Sequence, residues 1–184
     1  MVVDGGDFSE RLTLQVANIA ELPMDAVVNA ANNSLLGGGG VDGVIHKAAG
    51  PALLEACRPL GKCDTGDAKI TAGFDLPAKY VIHAVGPKWK TGSEAERDEL
   101  ASCYRRSIKL AVDYGCQSIA FPALSTGAYG CPAPIAVEVA IENVAAGLLE
   151  YQDITITLVS LPARNQKHLI TAAKKARVQC SIKS

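Results

Sequence analysis

Four consecutive glycines, Gly37 to Gly40, constrain this chain more than any other feature, because they stand between a short apolar run and an apolar helical pattern. Each glycine in an ordered element costs about 0.5–1 kcal/mol relative to alanine. A turn that only reverses the chain does not need four, so the run points to backbone that must approach a ligand closely. Before it, Ala26, Val27 and Val28 have the length and composition of a strand buried on both faces, and Asn29 and Asn32 bring two amides to its carboxyl end. After it, Val44, Ile45, Ala48 and Ala49 follow a helical pattern. Exposed N–H groups at a helix start attract anions, phosphate above all. Asp42 stands at that start, where it is either the helix N-cap or a carboxylate held beside the anion as a base.

A second stretch repeats the arrangement. Ser118 to Pro122 reads as a buried strand, Ala123 to Gly130 as a loop of small residues, and Pro134 to Leu149 as a helix. In a wound sheet, loops that follow strands and precede helices open on one edge, so both loops can grip one ligand. Ser125, Thr126 and Gly127 offer backbone N–H groups and two hydroxyls, and Tyr129 a flat face for a sugar or base. Ser-Thr-Gly is also ordinary turn composition, and the loop gains weight only beside the first. Neither loop is a P-loop, since no Gly-Lys-Ser/Thr follows the glycines, and adjacent glycines do not match the spaced Rossmann fingerprint.

The remaining chain reads as a flexible leader over residues 1–10 and a single domain over 11–184. Strands are expected at Arg11–Val16, Ala68–Phe74, Tyr80–Val85 and Thr155–Leu161, with helices at about Ser93–Tyr114 and Gln166–Ala176. The short turn at Asp75-Leu-Pro77 makes the second and third of those strands antiparallel neighbours. Alternating strands and helices elsewhere give an α/β chain with a mixed sheet between helical layers. A net charge of −1 argues against a general nucleic-acid surface. The six cysteines have no C-x-x-C spacing, so neither a metal nor a redox cofactor is expected, and Cys131 reads as a buried thiol. His46 and His83 read as packed or surface histidines, and no Ser-His-Asp or Cys-His arrangement is legible. Without a signal peptide or long apolar span, the expectation is a soluble cytoplasmic protein with no membrane partner.

Several stretches together resemble macrodomains of the MacroD type: Asp25-Ala-Val-Val-Asn-Ala-Ala-Asn32, Gly37-Gly-Gly-Gly-Val-Asp-Gly43, Gly66-Asp-Ala-Lys-Ile-Thr71, Leu76-Pro-Ala-Lys-Tyr-Val-Ile-His-Ala-Val-Gly-Pro87 and Phe121-Pro-Ala-Leu-Ser-Thr-Gly-Ala-Tyr-Gly130. The resemblance runs in unbroken order from about Leu12 to Leu161. It implies a three-layer α/β/α macrodomain with a mixed central sheet and no cofactor, and the chain is expected to be a monomer. It further implies binding of ADP-ribose and hydrolysis of its esters, with O-acetyl-ADP-ribose and mono-ADP-ribosylated acidic side chains of proteins as substrates. The alternative it leaves is a non-catalytic ADP-ribose reader. By position, Asn32 and Asp42 match the catalytic pair, Asn32 holding the distal ribose and Asp42 acting as general base. Gly39, Gly40 and Val41 match the loop over the distal ribose and diphosphate, Ser125, Thr126, Gly127 and Ala128 the diphosphate loop, and Tyr129 the aromatic over the distal ribose. At the adenine end, Ala17-Asn18-Ile19 replaces the usual Gly-Asp-Ile, and Leu161 stands where an aromatic is common.

Overall fold

The apolar run at Val27 becomes the inside of a sheet. In the computed structural model, which describes residues 6–160 and 166–183, strand β3 (Ala26–Ala30) is paired on both sides, parallel to β5 (Tyr80–Ala84) and to β6 (Ser118–Phe121). Side chains alternate across its two faces, as the strand period demands. Ala26 and Val28 join one apolar cluster, and Val27 joins the other.

Among the described residues the sheet has seven strands, in the order β4-β5-β3-β6-β7-β2-β9. Its other members are β2 (Leu12–Val16), β4 (Ala68–Ala72), β7 (Thr155–Ser160) and β9 (Ser181–Lys183). Among the described strands only β4, joined to β5 through residues 73–79, runs antiparallel to its neighbour; the sheet is mixed, as its sequence suggested. Helices α1 (Gly40–Ala49) and α2 (Pro51–Cys57) cover the face that carries Val27, Val81, Ala120 and Val159. The opposite face, with Val28, Ile82, Phe121 and Leu158, packs against α3 (Glu94–Asp113), α4 (Ala133–Glu150) and α5 (Gln166–Lys175). The result is three layers, α/β/α. No helix of the described residues is long and apolar enough to cross a membrane.

After β3 the chain leaves toward β4 and β5, then returns through α3 to lay β6 on the other side of β3. Strand order therefore reverses between β3 and β6, and a crevice opens beyond their carboxyl ends. Asp25 fixes the opposite ends of the same pair: its carboxylate accepts from the backbone N–H groups of Gln117 and Ser118, and its own N–H donates to Ser118 Oγ at 2.8 Å.

Two segments differ from the sequence reading. Gly6–Asp7 forms a short strand, β1, parallel to β8 (Val178–Gln179), and Phe8 is buried in the larger core cluster. Residues 6–10 are thus built into the fold, because one aromatic anchor there finds apolar partners. The tail past α5 adds β8 and β9, unforeseen because strands of two and three residues are too short to show a period.

Candidate functional site

The crevice is a cleft of about 680 Å³. It is lined by the connections after β2, β3, β5 and β6, and it gathers Asn18, Ile19, Asn32, Gly39, Gly40, Val41, Asp42 and the whole loop Ser125 to Tyr129. Every residue singled out for binding or catalysis in the sequence therefore faces one space, apart from Leu161, which lies outside the described residues.

One wall is the start of α1 at Gly40, ahead of Val44, where the apolar pattern begins. Gly39 is the N-cap and supplies no side-chain hydrogen bond, so Asp42 is not the cap; it sits in the first turn, 4% exposed. The leading N–H groups of α1 consequently receive no side-chain cap from Gly39. Glycine is favoured at Gly40 by its φ of +60°. Gly39 is different: its φ is −98°, and a Cβ there would meet no protein atom within 4 Å. Neither backbone strain nor packing accounts for glycine at that position, which leaves room for a ligand as the reason.

Asp42 is held from behind. The Asn29 amide nitrogen donates to its Oδ1 at 2.7 Å, and His46 Nε2 lies 3.4 Å from the same oxygen. Its Oδ2 stands beside Gly38, where a Cβ would come to 3.0 Å. Asn32 spends most of its amide on its own loop: Oδ1 accepts from Ser34 N–H and Oγ–H, and Nδ2 donates to the Gly37 carbonyl at 2.9 Å. One N–H of Asn32 remains free for a ligand.

The facing wall is the second loop. Ser125 has φ +61°, an uncommon conformation for a residue with a side chain, and its buried hydroxyl has no partner among the described residues. Gly86, at the end of β5, makes room for it: a Cβ there would come within 2.2 Å of Ser125 Oγ. Thr126 differs from the sequence reading, since its hydroxyl donates to the Ala123 carbonyl at 2.8 Å and is not a free donor to an anion. The ring of Tyr129 is approached by the Lys88 ammonium, 5.8 Å from its centroid.

A family model described as Macro domain matches residues 28–140. A Macro domain-containing protein of Methanosarcina mazei is 58% identical over 135 residues, covering 73% of this chain and 72% of its own length. The chain belongs to the Macro domain family. The human ADP-ribose glycohydrolase MACROD2 is 53% identical over 137 residues, which cover 74% of this macrodomain but only 32% of the relative. Among solved structures, a mutant Oceanobacillus iheyensis macrodomain with ADPR superposes with a TM-score of 0.85 at 35% identity, covering 95% of each chain.

At the far end of the macrodomain cleft, Asn18 is half-buried and engaged locally. Its Oδ1 accepts from Ala20 N–H at 3.2 Å and its Nδ2 donates to Glu21 Oε1 at 2.8 Å. Behind Asp42, His46, Cys57 and His83 bring possible metal-ligand atoms within 4.8 Å of one another. They do not fit a metal as they stand. His83 Nδ1 faces a donor, the Asn29 amide nitrogen at 3.2 Å, so its proton is on Nε2, the atom nearest the Cys57 sulfur. Burial pushes the Cys57 thiol up to about 11, with the charge of Asp42 adding to it, which keeps the sulfur protonated. All six cysteines are free thiols.

Asn29 and His46 are the contacts of Asp42 that the sequence reading did not assign. A signal for Asn29 was present: with period two it shares the face of Val27, toward α1, where Asp42 lies. For His46 the signal was its spacing of four residues from Asp42 on one helix.

Proposed function

We propose that this macrodomain binds ADP-ribose and hydrolyses its esters, removing mono-ADP-ribose from acidic side chains and the acyl group from O-acetyl-ADP-ribose. The observation that carries the reading is the buried Asp42 carboxylate, anchored through Oδ1 by Asn29 on the wall of a cleft that also exposes the N-terminus of α1. A diphosphate suits the α1 N–H groups and the Ser125 loop, because backbone donors and a helix terminus stabilise anions without a metal. The open face at Gly39 gives the ligand close access to that backbone. Relatives named for ADP-ribose hydrolysis and a neighbour carrying ADPR support the same ligand.

In the reaction, Asp42 accepts a proton from water as the oxygen attacks the ester carbonyl. The acyl C–O bond breaks, the proton passes to the departing ribose oxygen, and the products are a carboxylic acid and ADP-ribose. N–H groups of the first loop stabilise the oxyanion that forms in between. Asn32 positions the distal ribose with its remaining N–H.

A reader function is favoured by one observation: at the adenine end the polar atoms of Asn18 are already bonded to Ala20 and Glu21. Incubation with a mono-ADP-ribosylated acidic acceptor separates the two. Loss of the label supports the hydrolase. A retained label together with measurable ADP-ribose affinity leaves the reader alone.

A further inference from the structure

Asn29 Nδ2 stands 2.7 Å from Asp42 Oδ1 and 3.2 Å from His83 Nδ1, so one nitrogen with two hydrogens donates in both directions. That arrangement exists only while His83 Nδ1 is unprotonated. The imidazole proton must then lie on Nε2, and the atom that receives it is Thr71 Oγ1 at 3.0 Å, with Cys57 Sγ farther away at 3.6 Å. Thr71 spends its own proton on the Ala72 carbonyl at 3.1 Å, which leaves its oxygen to accept. All four polar residues, Thr71, His83, Asn29 and Asp42, are buried. Asn29 and His83 are cross-strand partners on β3 and β5, and Thr71 lies diagonally across from His83 on β4.

Asn29 Oδ1 has no partner among the described residues. The sense of the amide is therefore set by its two acceptors alone. Were His83 to carry its proton on Nδ1, two donors would meet at that contact, and rotating the amide to relieve them would turn its oxygen toward the Asp42 carboxylate. The rotated amide no longer anchors Asp42, and the unrotated one holds it only against an unfavourable donor–donor contact with His83.

We propose that Thr71 and His83 are positioning residues for Asp42: by accepting the Nε2 proton of His83, Thr71 fixes the tautomer that holds the Asn29 amide in its donating sense. This rests on the reading of Asp42 as the group that serves turnover. Burial pushes the His83 imidazole down to about 4, with His46 adding to it, so the ring stays neutral and a tautomer, rather than a charge, is what the contact selects.

The test compares Thr71→Val, Thr71→Ser and Asp42→Ala in turnover of O-acetyl-ADP-ribose, alongside ADP-ribose affinity and 15N chemical shifts of the His83 ring. Thr71→Val is expected to lower kcat about five- to tenfold, the rate equivalent of one lost neutral hydrogen bond, with KM and affinity unchanged. It should shift His83 from a single Nε2–H form to a mixture, and Thr71→Ser should restore both readouts. Wild-type kcat in Thr71→Val while Asp42→Ala is inactive overturns the relay, as does an equal loss in Thr71→Val and Thr71→Ser, or a loss with the tautomer unchanged. An active Asp42→Ala instead overturns the role of Asp42 and leaves the tautomer measurement to stand by itself. Should Thr71→Val fail to fold, the wild-type ring decides: an Nδ1–H form in the native protein refutes the proposal.

Discussion

The two ends of the cleft are built differently. At the α1 end, Asp42 is buried and held through Asn29, His83 and Thr71, groups contributed by three strands and fixed by a chain of hydrogen bonds. At the Asn18 end, a half-buried amide bonds to Ala20 and Glu21, two and three residues away along the chain. Buried polar groups are costly when left unpaired, so a change at the first end propagates through every member. The second end is half-exposed and local, so solvent can replace a lost partner at little cost. Chemistry that needs a carboxylate held in place belongs at the first end. Recognition that can vary from chain to chain belongs at the second.

The sharpest way to break this comparison is Asp42→Ala, which should lower turnover about 10²-fold or more, the order of a lost acid–base group, while ADP-ribose affinity changes little. Single-turnover kinetics and calorimetry measure the two effects. An equal collapse of affinity would make Asp42 a binding group and erase the division of labour between the ends.

Acid should act on the first end next. Above pH 6.5 the His83 imidazole is neutral folded and unfolded, so it adds no pH dependence. Between 6.5 and about 4 the unfolded chain takes up a proton that the buried ring refuses, and stability falls as pH falls. The full effect is about 3 kcal/mol by pH 4. Urea titrations across that range should show this slope in the wild type and a shallower one in His83→Gln. Equal slopes would remove His83 from the account.

Gly86→Ala probes the ground between the ends. Its Cβ would meet Ser125 Oγ at 2.2 Å, so the Ser125 hydroxyl must rotate away from its present place in the second loop. ADP-ribose affinity should fall about tenfold with kcat at saturation nearly unchanged, since Asp42 and its anchors lie on the other wall. A fall in kcat of the same size would show that the walls are coupled. The smallest effect is expected at Asn18. Asn18→Asp supplies a charged acceptor but sets it against Glu21, so affinity should change less than about threefold, and adding Glu21→Gln should then tighten binding. Calorimetry on the single and double variants tests this; a large gain from the single change would mean that Glu21 does not restrain the site.

Much of the architecture was legible from residues 25–43 and 118–149, because strand and helix periods and glycine runs are local signals. They placed β3, α1, β6 and α4 within a few residues and predicted that both loops share one edge. Asp42 as a cleft carboxylate was legible too, although its alternative role as N-cap was settled only when α1 was seen to begin at Gly40 behind Gly39. Thr126 shows where composition misleads: a hydroxyl in a loop counts as a free donor in sequence, but its proton is spent on Ala123.

What the sequence by itself determined is thus the order of elements, the mixed sheet and the pair of small-residue loops, each encoded in neighbouring residues. Tertiary structure alone decided that Phe8 is core, that Val178 and Ile182 belong to strands, and that Thr71, His83 and Asn29 form one line ending at Asp42. The physical reason is the same in each case. A two-residue strand or a single buried amide gains its stabilisation from partners far along the chain, and the direction of a hydrogen bond is fixed only when donor and acceptor have been brought face to face.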